Sequence, residues 1–176
     1  MAIDSAAVSG WFTTLDVDDN GHVSLDDFEV AAYRLMKGYE ESPLTAKGAE
    51  LLRAFTALWR SLAAAADTDD DGKVTASEMA AAIGALRSGA GSDFTSAVDD
   101  LADAVLGIVD TDASGVVEAE EFRRMLGFFG VARPAAEAAF GALDADGSGA
   151  LTAGELRRAF RDFYLGSAAP DVLLFG

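Results

Sequence analysis

The 176-residue sequence contains no cysteine, one histidine and three prolines. Without thiols there is no disulfide framework, no thiolate nucleophile and no cysteine-based zinc or iron–sulfur site, which fits a reducing, cytoplasmic compartment. Basic residues are scarce. Thirteen Lys plus Arg stand against 30 Asp plus Glu, a formal net charge of -17. Such a charge repels phosphate backbones and anionic lipid, so neither nucleic acid nor a membrane is an expected partner. Unbroken apolar runs are missing too: charge interrupts the alanine-rich stretches well short of the roughly 20 residues a membrane span needs. Residues 1–10 have neither a basic start nor a continuous apolar segment, so no secretory signal is expected. Ala2 stands where myristoylation requires glycine. What remains is a balance of 51% apolar and 24% charged residues, that of a folded chain, with length enough for one domain or two small lobes.

The acids are not spread evenly. Four twelve-residue segments share one pattern: DVDDNGHVSLDD at 16–27, DTDDDGKVTASE at 67–78, DTDASGVVEAEE at 110–121 and DADGSGALTAGE at 144–155. Each has oxygen-bearing side chains at positions 1, 3 and 5, glycine at 6, an aliphatic residue at 8 and a carboxylate at 12. Together they hold 18 of the 30 acids and only one base, Lys73, so the rest of the chain is electrically neutral. Crowding carboxylates into short loops costs mutual repulsion that a bound cation relieves.

Calcium takes six to eight oxygen ligands, which one loop supplies from alternate positions and a bidentate carboxylate at its end. The sequence resembles the EF-hand family in this pattern over nearly its full length. The resemblance implies an all-α fold of four helix–loop–helix hands in two paired lobes, with up to four Ca2+ ions. The implied ligands are Asp16, Asp18, Asn20, His22 and Asp27 in the first loop, and Asp67, Asp69, Asp71, Lys73 and Glu78 in the second. The third offers Asp110, Asp112, Ser114, Val116 and Glu121; the fourth, Asp144, Asp146, Ser148, Ala150 and Glu155. His22, Lys73, Val116 and Ala150, at position 7, contribute main-chain carbonyls, so the imidazole of His22 has no assigned role. Position 9, Thr75 in the second loop, reaches the ion through water.

Three loops depart from the strict pattern. Ser114 and Ser148 put a neutral hydroxyl at position 5, and Glu118, at position 9, restores charge in the third loop. The first loop ends in Asp27, one methylene shorter than glutamate. Unless that loop contracts, Asp27 binds through one oxygen and lowers the coordination number towards the six of magnesium. Loop one is therefore expected to be the weakest for calcium and the most tolerant of Mg2+.

Apolar stripes at helical spacing flank the loops. They are Val8, Trp11, Phe12 and Leu15, then Phe28, Ala31, Ala32 and Leu35, around the first. Leu51, Leu52, Phe55, Leu58, Trp59 and Leu62 precede the second, in a helix whose start Ser42–Pro43 signals; Met79, Ile83 and Leu86 follow. Leu101, Val105, Leu106 and Val109, then Phe122, Met125, Leu126 and Phe129, frame the third. Phe140 and Leu143, then Leu156, Phe160, Phe163 and Tyr164, frame the fourth, with Pro134 opening its first helix. The position-8 residues predict pairing of Val23 with Val74 and of Val117 with Leu151. Ser88-Gly89-Ala90-Gly91-Ser92 reads as a linker, dividing the chain into hand pairs 1–88 and 93–176.

Loop starts separated by 51, 43 and 34 residues resemble those of sarcoplasmic calcium-binding proteins and the bacterial calerythrin. Arginine outnumbers lysine ten to three, a composition pointing to a bacterial source. The resemblance implies a monomeric calcium buffer or transporter. The alternative is a sensor that opens an apolar groove to a helical target. Only four methionines and an apolar C-terminal tail, 169–176, suited to filling an internal cleft, favour the buffer. An enzyme is not expected, because the carboxylates are committed as ligands and no catalytic constellation remains.

Overall fold

The computed structural model describes residues 12–87 and 92–165. Residues Val8, Trp11, the linker residues 88–91 and the apolar tail lie outside this range. The elements run α1 (described over 12–15), β1 (His22–Val23), α2 (Leu25–Gly38), α3 (Ala46–Ala66), β2 (Val74–Thr75), α4 (Ala76–Arg87), α5 (Ser92–Val109), β3 (Val117–Glu118), α6 (Ala119–Phe128), α7 (Arg133–Leu143), β4 (Ala150–Leu151) and α8 (Ala153–Tyr164). Each acidic segment thus sits between two helices. The two-residue strands pair antiparallel, β1 with β2 and β3 with β4, bringing Val23 opposite Val74 and Val117 opposite Leu151. All four position-8 side chains are fully buried, so each bridge anchors two loops on the core.

The apolar stripes fold inward as their spacing requires. Phe12, Leu15, Phe28, Leu35, Phe55, Leu58, Met79, Ile83, Val105, Phe122, Phe140, Phe160 and Tyr164 belong to one continuous cluster that draws on both halves of the chain. Its largest helix–helix contact is between α3 and α5, the helices that lead into the second and third loops. Aromatic rings fill the angles between helices: Phe28 lies 5.8 Å from Trp59, and Phe122 packs edge-on to Phe140 at 5.7 Å. No described helix is long and apolar enough to cross a membrane.

Two helix starts differ from the sequence expectation. Helix α3 begins at Ala46, not beside Pro43, because Thr45 is its cap: the Thr45 hydroxyl accepts the Gly48 N–H at 3.0 Å. The Ser42 carbonyl folds back over that turn so closely that a β-carbon on Gly48 would meet it at 2.0 Å. Helix α5 begins at Ser92, inside the expected linker, because Phe94 and Val98 extend the buried stripe one turn further back. Pro134 lies in the first turn of α7, as read.

Candidate metal centres

The four loops are wired by closely similar internal hydrogen bonds. The position-1 carboxylate accepts from the amides of positions 5 and 6: Asp16 from Asn20 (3.0 Å) and Gly21 (2.9 Å), and Asp67 from Asp71 (3.2 Å) and Gly72 (3.0 Å). Asp110 accepts from Ser114 (3.0 Å) and Gly115 (2.9 Å), and Asp144 from Ser148 (2.9 Å) and Gly149 (2.9 Å). The position-3 carboxylates Asp18, Asp112 and Asp146 accept a further bond from the position-5 amide. The amide of position 7 then turns back to the position-5 side chain, as His22 does to Asn20 and Lys73 to Asp71. Amides therefore hold the carboxylates facing inward before any ion is considered.

This curl requires left-handed backbone. The position-6 glycines Gly21, Gly72, Gly115 and Gly149 have φ between 78° and 86°, where a side chain would be strained. Position 4 is left-handed as well, at Asp19 (φ 56°), Asp70 (58°), Ala113 (60°) and Gly147 (68°). Sequence reasoning missed this position, since Ala113 carries no conformational signal and the aspartates only a weak one. For Ala113 the conformation costs about 1–2 kcal/mol, which the loop's hydrogen bonds must outweigh.

The position-12 carboxylate straps the loop ends together by accepting the amides of positions 2 and 9. Glu78 joins Thr68 (3.0 Å) to Thr75 (2.9 Å), Glu121 joins Thr111 (2.8 Å) to Glu118 (3.1 Å), and Glu155 joins Ala145 to Thr152, both at 3.0 Å. Hydroxyls reinforce the strap where threonine is present: Thr68 and Thr75 each donate to Glu78 at 2.8 Å. The Thr75 side chain, expected to reach an ion through water, thus also serves the strap. Asp27, though shorter, makes the same strap, accepting Val17 at 2.9 Å and Ser24 at 2.8 Å, and is only 3% exposed.

These bonds set the electrostatics. The amides of Thr75 and Thr68, with their hydroxyls, hold the Glu78 carboxyl down to about 2. The Thr152 amide and hydroxyl and the Ala145 amide hold Glu155 below the ordinary carboxylate range. At Asp110 burial pulls upward, but the Gly115 and Ser114 amides outweigh it and the net shift is downward. A depressed folded value means a contribution to stability present above the unfolded value near 4.3 for glutamate and lost as pH falls through the folded one. At neutral pH these three groups are anionic acceptors.

Oxygens of Asp16, Asp18 and Asp27 lie within 4.8 Å of one another, as do those of Asp110, Asp112 and Glu121, and of Asp144, Asp146 and Glu155. In the second loop the converging group is Asp67, Asp69 and Asp71, and Glu78 stands outside it on its threonine strap. Glu118 is exposed and not part of the third group. The Ser114 and Ser148 hydroxyls turn to the carbonyls of Val116 and Ala150, at 3.3 and 2.9 Å. Asn20 directs its side-chain oxygen to the His22 amide. Such all-oxygen, anionic sets fit a hard cation such as calcium and offer nothing to a thiophilic metal.

Comparison with known proteins agrees with this chemistry. A sequence model of the EF hand matches residues 64–82, 101–126 and 136–160, which contain the second, third and fourth loops. The sequence matches none of the curated proteins. A calcium-binding protein of Streptomyces coelicolor, whose structure concerns prokaryotic calcium-mediated regulation, is 33% identical over 93% of this chain and 98% of its own, with a TM-score of 0.84. Calcium-loaded apo-aequorin from Aequorea victoria shares the fold at 20% identity, over 93% of this chain and 97% of its own, with a TM-score of 0.73. Apo-berovin, a ctenophore photoprotein whose three calcium-binding loops all bind magnesium, covers 90% of this chain and 86% of its own at 21% identity and a TM-score of 0.69. From the matched hands and the extended identity to a calcium-binding protein, together with four equivalent oxygen-lined loops, it follows that this chain belongs to the EF-hand calcium-binding proteins.

Proposed function

We propose that the chain is a monomeric intracellular calcium buffer or carrier, built as hand pairs 1–88 and 93–176 and using no catalytic residue. In this reading the ligands are Asp16, Asp18, Asn20 and Asp27; Asp67, Asp69, Asp71 and Glu78; Asp110, Asp112, Ser114 and Glu121; and Asp144, Asp146, Ser148 and Glu155. The carbonyls of His22, Lys73, Val116 and Ala150 complete each set. Glu78 joins its loop's converging carboxylates by turning off its strap. The first loop, closed by the shorter Asp27, is the weakest calcium site and the one most tolerant of magnesium.

The observation that carries the buffer reading is the state of the apolar surface while the loops are curled. Met36, Met79 and Met125, the adaptable side chains a sensor presents to its targets, are all at most 1% exposed. Among the described residues the large apolar side chains that stand out are Val30 and Tyr33, one turn apart on α2, and Leu44 in the connection to α3. That is too little to receive the apolar face of a target helix. A second reading, a calcium-responsive regulator, has the Streptomyces relative in its favour, since regulation is what that protein's structure concerns.

Fluorescence of a hydrophobic dye with calcium and with excess chelator separates the two. A buffer shows no rise on adding calcium, and a fall if the metal-free protein is looser. A rise with calcium, accompanied by retention on a hydrophobic resin, identifies the regulator.

A further inference from the structure

Helix α2 has a loop-closing residue near its start and, just past its end, a residue bonded to another loop-closing residue. Near its start is Asp27, which straps the first loop. Just past its last residue is Tyr39, whose hydroxyl donates to the main-chain carbonyl of Glu121 at 3.0 Å, and Glu121 straps the third loop. Twelve residue steps separate the two, about 18 Å at 1.5 Å per residue. The two loops share no strand bridge, since the first pairs with the second and the third with the fourth. The Tyr39 contact, with α2, thus connects two closing residues that belong to different hand pairs.

The surroundings make this link stiff. Helices α2 and α6 lie side by side in opposite directions: the Arg34 guanidinium covers the Phe129 ring at 5.8 Å, and Gly38 meets Phe128. The approach is so close that a β-carbon on Gly38 would come within 2.3 Å of the Phe128 ring. From α6, Arg124 lies over the Tyr39 ring with its Cζ 4.7 Å from the centroid and donates to the Gly38 carbonyl at 3.0 Å. Tyr39 and Phe128 pack edge to face at 5.5 Å. Burial pushes the Tyr39 phenol above its ordinary range, Arg124 opposes and Glu121 adds to the rise, so the hydroxyl remains a donor throughout neutral pH. The Glu121 carbonyl has two lone pairs and accepts this bond besides its helical one.

We propose that ion binding in the third loop is coupled to ion binding in the first through the Tyr39–Glu121 bond, with α2 as the rigid connection. The inference rests on the reading of both loops as calcium sites. When an ion drawn to Glu121 shifts the main chain there, the Glu121 carbonyl carries Tyr39 and the α2 terminus with it. The tilt of α2 in turn sets where Asp27 stands in the first loop. Filling one loop biases the other towards its closed position, and linkage makes the effect reciprocal.

A double-mutant cycle tests this, with calcium titrations followed at the amides of Gly21 and Gly115, each bonded to its loop's position-1 aspartate. Glu121→Gln disables the third loop and should weaken calcium at Gly21 by roughly two- to tenfold, the net value of one hydrogen bond. In the Tyr39→Phe background the same change should alter Gly21 by less than about twofold, the additive limit. Arg124→Ala, which loosens the contact from α6, should behave like Tyr39→Phe while leaving the ring and hydroxyl in place. An equal Glu121→Gln effect at Gly21 in all three backgrounds overturns the Tyr39 route, while responses at both glycines keep the calcium sites. If Gly115 of the unmutated protein does not respond to calcium, the third site fails and the coupling with it.

Discussion

Stripping divalent ions with excess chelator should lower the melting temperature by upwards of about 15 °C at neutral pH, since one site held at a hundredfold excess over its dissociation constant adds about 2.7 kcal/mol and each 1 kcal/mol moves a chain of this size by about 2–4 °C. At least three such sites are expected. The sign follows from the loops themselves. Their amides hold three carboxylates of a loop within 4.8 Å, and Ala113 and its equivalents remain in left-handed backbone. Without a cation, like charges face one another and that strain is opposed only by hydrogen bonds inside the loop. Loosening propagates inward, because Val23, Val74, Val117 and Leu151 join loop bridges to the core. Differential scanning calorimetry with calcium and with chelator gives the answer. Equal melting temperatures would mean that the loops fold as well empty as filled.

Glu155→Gln should remove calcium from the fourth loop, weakening it by more than roughly a hundredfold, because even the outer partners of metal ligands are worth about 10–100-fold. This loop has the fewest acids, three, and all three are in its converging group. The substitution leaves two anions and replaces one acceptor of the strap with an NH2 donor. That donor faces either the Ala145 amide or the amide and hydroxyl of Thr152. Because β3 pairs with β4, the third loop should weaken as well, by a smaller factor. Site-resolved titration at Gly149 and Gly115 measures both effects. An unchanged Gly149 response would show that Glu155 serves only to cap α8, where it also bonds to Thr152.

Much of this was legible locally. Four glycines in register fixed where each loop turns, and the residue two places on identified the bridge partners, because a twelve-residue loop closes on itself and needs nothing distant. The stripes at Phe28, Phe55, Phe122 and Phe160 followed from helical period alone. What escaped has two physical origins. Left-handed backbone at Ala113 is imposed by the loop's hydrogen bonds against that residue's preference, and at Asp19 and Asp70 the residue type signals it only weakly. The length of α5 and the Tyr39, Arg124 and Phe128 cluster depend on which helices meet, and Tyr39 with Glu121 spans 82 positions of sequence. The strap role of Thr68 and Thr75 was hidden for another reason. Threonine there is compatible with water-mediated ligation, and only the geometry shows its hydroxyl on Glu78.

The central claim, that these four bends are calcium cages, is tested most directly by counting ions. Titration calorimetry of the metal-free protein should give four calcium ions, or three strong ones with a first-loop site that millimolar magnesium displaces. Two or fewer, or heats indistinguishable from dilution, would contradict the account.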